Sequence, residues 1–341
     1  MIRLILMAFA LVSLAALGAE AQNRDTYTIS GIAVDERAPT VAEAQREAFA
    51  AAKLIGARRL IERFTLPEDR LAAADLILDQ AMADRMAAAV DVEQEVAGAG
   101  RYRGQLAVVY NPAQVRAVLN QVGLPFTDST APPAVLFTSA SNSMDLAWNL
   151  AWEEAPKGSL VPLIISRSAG YNAEMPWDVL QDEIALYGAQ RAIFADLTGA
   201  QGGYRVELVS LTPSGPQRIG VTQRAGTLDG AIDAVSKRLN DDWKQTSIIR
   251  DSSRTLIEAT VEYTSLAEWI TLRQALAQSP LVSNFKTRAI STDGAVVAFA
   301  FAGNGQRLTS DLRDRGVVIN AEPIGWVMTS AISAGRVTES Q

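Results

Sequence analysis

The stretch AVLFTSASNSMDLAWNLAWEEAPKGSLVPLII, residues 134–165, decides the architecture of this chain. It opens on the apolar run Ala134–Phe137, whose length and unbroken hydrophobicity fit a strand buried on both faces. A helix carrying Trp148 and Trp152 follows and stops at Pro156 and Gly158. Leu160–Ile165 is then a second short buried strand. Early strands alternating with helices predict an α/β layer with a partly parallel sheet. The pattern continues downstream. Trp177, Leu180, Ile184 and Tyr187 share one face of a helix over Pro176–Tyr187, closed by Gly188. Arg191–Leu197, Tyr204–Leu211 and Gln217–Gln223 read as strands. Leu228, Ala231, Ile232, Val235, Leu239 and Trp243 mark a closing amphipathic helix, so a central module spans 134–248.

Upstream, Thr127–Pro133 (TDSTAPP) has linker composition. Before it, Thr26–Val34 alternates as a strand. Thr40 and Glu43 stand at capping-box spacing ahead of a helix whose Val41, Ala44, Ala48, Ala51, Leu54, Ile55 and Ile61 recur at helical intervals. A second helical stretch covers about Glu68–Ala88. Val90–Val96 and Tyr102–Tyr110 form a predicted hairpin around Gly98-Ala99-Gly100. Asn111, Pro112 and Gly123 frame a last short helix. The module at 22–128 therefore has the order β-α-α-β-β-α.

Downstream, Leu256–Val261, a helix opened by the capping box Ser265–Glu268, and a hairpin of Val282–Ile290 with Ala295–Phe301 precede a helix capped by Asn304 and a strand Val317–Ile319. This β-α-β-β-α-β order, over 252–322, is that of a ferredoxin-like sandwich. Residues 323–341 read as a flexible tail. The expected fold class is thus α/β and α+β in three modules: two small β-α-β-β-α type sandwiches flanking a central α/β layer.

Composition narrows the chemistry. Of 341 residues, 48% are apolar and 20% charged, enough for a sizeable core. A formal net charge of −7 without a basic stripe argues against nucleic acid or anionic lipid as partners. The N-terminus carries Arg3, an apolar stretch Leu4–Leu17 and the A-x-A site Ala19-Glu20-Ala21. That is the pattern of a cleavable signal peptide over residues 1–21, leaving a mature chain that begins at Gln22. The stretch is too short to span a bilayer comfortably and none follows it, so the expectation is a soluble, exported protein of the bacterial periplasm with no transmembrane span.

The chain has no cysteine and no histidine. Disulfides, thiolate nucleophiles, Fe–S clusters, imidazole metal ligands and Ser-His-Asp arrangements are therefore excluded.

Several residues carry a family resemblance. They are the strand at Tyr27–Val34, the helix ending ARRLIERF (57–64), Leu106–Tyr110 before an N-P-x-x-V helix, Gly123–Phe126 and Pro133–Phe137. With Gly158–Leu163 and Val261–Leu281, they resemble the proteobacterial exported family called domain of unknown function 2066. The helix end Phe64-Thr65-Leu66-Pro67 departs from that family's L-T-G-like turn. The resemblance implies an envelope protein of unassigned activity and transfers no catalytic residue.

What remains is carboxylate, Lys, Tyr and Ser chemistry. Ser283-Asn-Phe-Lys286 has the S-x-x-K spacing of penicillin-recognising enzymes, yet it falls in a predicted strand, where residues three apart point to opposite faces. Glu153-Glu154 and Asp241-Asp242 are adjacent on helices and diverge, reading as solvated faces. Gly303-Asn304-Gly305 lacks the lysine of a phosphate loop and reads as a turn with an N-cap. Trp148, Trp152 and Trp326 remain as candidate interaction residues, set against the more frequent fate of such tryptophans as core.

The expectation is a non-catalytic interaction or scaffolding module with an envelope protein as partner and no cofactor or metal. The alternatives are a hydrolase using carboxylate or Ser/Lys chemistry in a cleft between the central and C-terminal modules, and a binder of a hydrophobic ligand. Buried charges converging in that cleft would count against the scaffold.

Overall fold

The computed structural model describes residues 24–73, 78–141, 144–153, 158–168, 170–200, 202–250, 253–322 and 325–334. The expected signal peptide lies outside them. Mixed α/β and α+β architecture with three sheets is observed. Contacts divide the chain into two compact units. One takes in residues to Asp128 with 158–160; the other holds both the central and the C-terminal modules.

In the first unit, β1 (Thr28–Arg37), β3 (Arg101–Tyr110) and β2 (Ala87–Gly98) form an antiparallel sheet in the order β1-β3-β2. Helix α1 (Val41–Phe64) starts at the capping box: Thr40 Oγ1 accepts from the Glu43 amide while the Glu43 carboxylate accepts from the Thr40 amide. Its buried face is Ala44, Ala48, Ala52, Gly56, Ala57, Leu60, Ile61 and Phe64. Small residues along that stripe bring the helix backbone close to the sheet. At Gly56 the approach is tightest, since a Cβ there would lie 2.3 Å from Tyr110 Oη.

The predicted second helix is two short ones, α2 (Pro67–Ala72) and α3 (Gln80–Met86), and β2 begins at Ala87. The hairpin turn is Ala99-Gly100, with φ of +49° and +71°, as a two-residue primed turn requires. Helix α4 (Pro112–Gln121) is capped by the Asn111 side chain and buries Val115, Val118 and Leu119.

In the second unit, β4 (Ala134–Ala140) lies parallel to both β5 (Leu163–Ile165) and β6 (Ala192–Thr198). Strands β7 (Arg205–Thr212) and β8 (Gly215–Val221) continue antiparallel, giving β5-β4-β6-β7-β8. The parallel pairs come from crossovers through α5 (Asp145–Glu153) and α6 (Trp177–Leu186). One connection leads to one side of β4 and the next back past it, so right-handed crossovers place these helices on opposite faces. Alternation along the strands agrees: Val135, Phe137, Ala192 and Phe194 pack on Leu180 and Ile184 of α6. Helix α7 (Leu228–Ser247) packs against α5 and β7.

The third sheet is β10-β11-β9-β13-β12, from β9 (Arg254–Glu262), β10 (Val282–Ile290), β11 (Gly294–Ala302), β12 (Val317–Glu322) and β13 (Gly325–Ser330), with helices α8 (Leu266–Gln278) and α9 (Gly305–Asp314). This corrects two expectations. A ferredoxin-like sheet seats its fourth strand antiparallel beside the first. Here the place beside β9 is taken by β13, which runs parallel to it, and β12 is displaced to the edge.

Residues 325–330, read from sequence as tail, are therefore a central strand. Met328 is fully buried, and the following turn docks by side chains. The hydroxyls of Ser330 and Ser333 both donate to Glu268 Oε1, while the Thr264 amide and hydroxyl donate to Oε2 at 2.7 and 2.8 Å. The box at Ser265 is consequently only half formed. Ser265 Oγ accepts from the Glu268 amide, but the carboxylate serves Thr264 and the chain end instead. Burial works against the charge of Glu268, yet the hydrogen bonds from Ser330, Ser333 and Thr264 prevail and hold its pKa down to about 2.

Candidate functional site

Two of the three tryptophans nominated from sequence are core. Trp148 is fully buried and donates from Nε1 to Ala195 O at 3.2 Å; Trp152, 2% exposed, meets it edge to face at 5.4 Å. Their spacing of four brings both rings to the same buried stripe of α5, which removes them as a partner surface. Trp326 is half-buried on β13 against the C-terminal core.

The first unit presents an edge. Strand β2 has β3 on one side and, among the described residues, no strand on the other. Of its twelve residues only Ala87 and Val90 are even half-buried, and Val96 is 75% exposed. Irregularities at Ala87/Ala89 and Val92/Gln94 kink its first part, but Gln94–Gly98 pairs in unbroken register with Arg101–Gln105.

Beside this straight portion, Arg101 clasps Asp35 through Nε and Nη2 at 2.6 and 2.5 Å. These hydrogen bonds, and the charges of Arg103 and Arg37, hold the Asp35 carboxyl below its usual value. The three arginines are balanced at this end of the sheet by Asp35, Glu36 on β1 and Glu95 on β2, the last accepting from Tyr102 Oη at 2.9 Å.

The second unit contains the charged cleft that the sequence reading set against a scaffold. It lies between α7 and α9 and is lined on the sheet side by Arg191, Ser210 and Gln217. Arg307 donates to Thr246 O and Ile248 O, closing the C-terminus of α7 with a cation, where the helix dipole favours one. Arg315, 4% exposed, contacts both carboxylate oxygens of Asp311 at 3.2–3.3 Å and lies 5.9 Å from the Trp243 ring centroid. Arg191 Nη1 stands 3.8 Å from Asp314 Oδ2. Burial lowers the Arg191 pKa and raises that of Asp314, where neighbouring Asp311 adds to the rise. Asp242 is also raised by burial, although Arg238 opposes this. Only part of this cluster was readable in advance: Asp311 and Arg315 stand four apart on a helix. Arg191 is one arginine at the start of an apolar strand, and nothing local marks it.

A second, larger crevice of about 990 Å³ lies at the carboxyl ends of β4 and β5 beside α5, where the strand order reverses. Open α/β sheets bind ligands in such places. Its serine and threonine hydroxyls are already engaged: Ser166 and Ser168 donate to Glu183 Oε1 at 3.0 and 2.8 Å, Ser139 donates to Asp196 Oδ1, and Thr138 donates to Asn149 Oδ1. A carboxylate is too weak a base to ionise a serine, and no imidazole exists to do it. The amide of Ala140 at the head of α5 is taken by Asp145 Oδ1 at 2.5 Å, which places a negative charge where a phosphate would sit.

The remaining motifs resolve without catalysis. Ser283 lies in β10, accepts from Arg254 and donates to Ala300 O. Asn304 caps α9 through the Arg307 amide at 2.9 Å. Asp241 is paired with Lys237 and Lys244, and Glu154 lies outside the described residues. No group of three metal-ligating side chains occurs among the described residues. Comparison with protein-family models finds none that matches the chain, and comparison with curated proteins likewise finds no match.

Proposed function

We propose that this is an exported protein of the bacterial envelope, akin in pattern to domain of unknown function 2066, that acts by binding another protein. The observation that carries the reading is the bare edge of β2. An extended peptide adds to such an edge by main-chain hydrogen bonds, and side chains along the adjoining face select the partner. The absence of histidine and cysteine, and the engaged serine and threonine hydroxyls of the crevice beside α5, speak against nucleophilic catalysis.

A photo-crosslinking residue at Val96, compared with one at the equally exposed Leu186 of the second unit, tests this in cells. The expected result is one discrete adduct from position 96 that disappears when Ala97→Pro breaks the strand, and none from 186. An absence of adducts along Gln94–Gly98 refutes docking at this edge. Export is tested separately by N-terminal sequencing of the mature protein, which is expected to begin at Gln22.

The second reading is chemistry in the cleft between α7 and α9. It is favoured by the convergence of Arg191, Asp242 and Asp314, and opposed by the arginine that accompanies each carboxylate.

A further inference from the structure

Two buried arginines of the second unit differ in a way that packing does not account for. Arg315 has its carboxylate partner in hydrogen-bond contact and an indole face beneath it. Arg191 is 8% exposed, its Nε finds no partner among the described residues, and its only carboxylate neighbour stays at 3.8 Å. That separation is an ion pair without a hydrogen bond. A guanidinium carries five donors and keeps its charge, so a buried one left in this state is costly unless something completes it.

The surroundings face the same space, a cavity of about 210 Å³. Among the described residues, the hydroxyls of Ser210 and Ser310 and the amides of Gln217 and Gln245 form no side-chain hydrogen bonds. The volume is below the roughly 300–1,000 Å³ of drug-sized sites and equals the liquid share of about seven waters.

The charges fix the kind of occupant. A simple anion entering this space would be drawn to Arg191 but would meet Asp314 and Asp242. A simple cation would meet the guanidinium. We infer that the cavity is a binding site for a small zwitterion of amino-acid size, its carboxylate on Arg191 and its ammonium toward Asp314 and Asp242. The inference does not depend on docking at β2.

Isothermal titration of the full mature chain with each standard amino acid tests it, with acetate and methylammonium as half-ligands. At least one amino acid is expected to bind saturably, and both half-ligands about ten-fold or more weaker. Arg191→Gln removes charge-assisted hydrogen bonds and is expected to weaken binding by more than about ten-fold. Should that variant fail to fold, Ser310→Ala and Gln245→Ala at the mouth are expected to weaken binding several-fold while leaving the melting temperature unchanged. No saturable binding by any amino acid overturns the inference. So does binding that survives the mouth substitutions undiminished, because the ligand then sits elsewhere.

Discussion

Replacing Glu268 by Gln tests how the chain end is held. The carboxylate receives donors from Ser330, Ser333 and Thr264, and its folded pKa is about 2 against an ordinary 4.5. A shift of that size corresponds to ~3.4 kcal/mol at 1.36 kcal/mol per pKa unit, and solvent screening of this partly exposed group reduces it to ~1–2 kcal/mol. Glutamine keeps one accepting oxygen and turns an amide donor toward the other pair, so most of that contribution is lost. For a unit of this size the melting temperature is expected to fall by about 2–8 °C at pH 7.

The pH dependence gives the sharper test. Because the folded pKa is depressed, the contribution is complete above about pH 4.5 and fades as pH drops toward 2, losing about half by pH 3. Calorimetry of wild type and Glu268→Gln from neutral pH down to about pH 3 should therefore show their difference shrinking. Hydrogen exchange at residues 325–330 should accelerate in the variant at neutral pH. A difference that stays constant with pH, or unaltered exchange in β13, would refute the account of Glu268 as the anchor.

Three further outcomes follow from the packing. Gly56→Ala should destabilise by about 1–3 kcal/mol in chemical denaturation, although helix propensity alone favours alanine, because its Cβ would collide with Tyr110 Oη and disturb the bond from that hydroxyl to Lys53 O. Gly100→Ala should lower the thermal midpoint through a cost of about 1–3 kcal/mol, since its φ is +71° and a Cβ would lie 2.6 Å from Ala38 O. Trp148→Ala should cost about 3–5 kcal/mol by denaturant titration, the range for emptying a fully buried aromatic site.

Local chemistry was legible where one or two residues determine the backbone. The Thr40–Glu43 box, the Asn111 and Asn304 caps and the Ala99-Gly100 turn could all be read directly, and the βαβ unit followed from a continuous apolar strand. What escaped was set by distant partners. Glu268 was read as closing its own helix start, whereas two serines more than sixty residues away claim one of its oxygens. Gly325–Ser330 has the small and polar residues of a tail, and only the free edge of β9 makes it a strand. The charged cleft was invisible for the same reason: Arg191, Asp242 and Asp314 come from three separate elements. Trp148 and Trp152 were legible as a pair but not as to their side, because α5 is covered over the very stripe they occupy.

The place of β13 bears on how the chain is made. Strand β9 emerges from the ribosome well before the segment that will flank it, with two helices and three strands synthesised in between. Throughout that interval one side of β9 has no permanent neighbour, and its alternating Ile257, Ala259 and Val261 have an incomplete sheet beneath them. Any strand of suitable register could bind there first, including the same stretch of another nascent copy. Slow elongation near residue 330 would lengthen that exposure, and a holding chaperone that favours extended apolar segments would shorten its consequences.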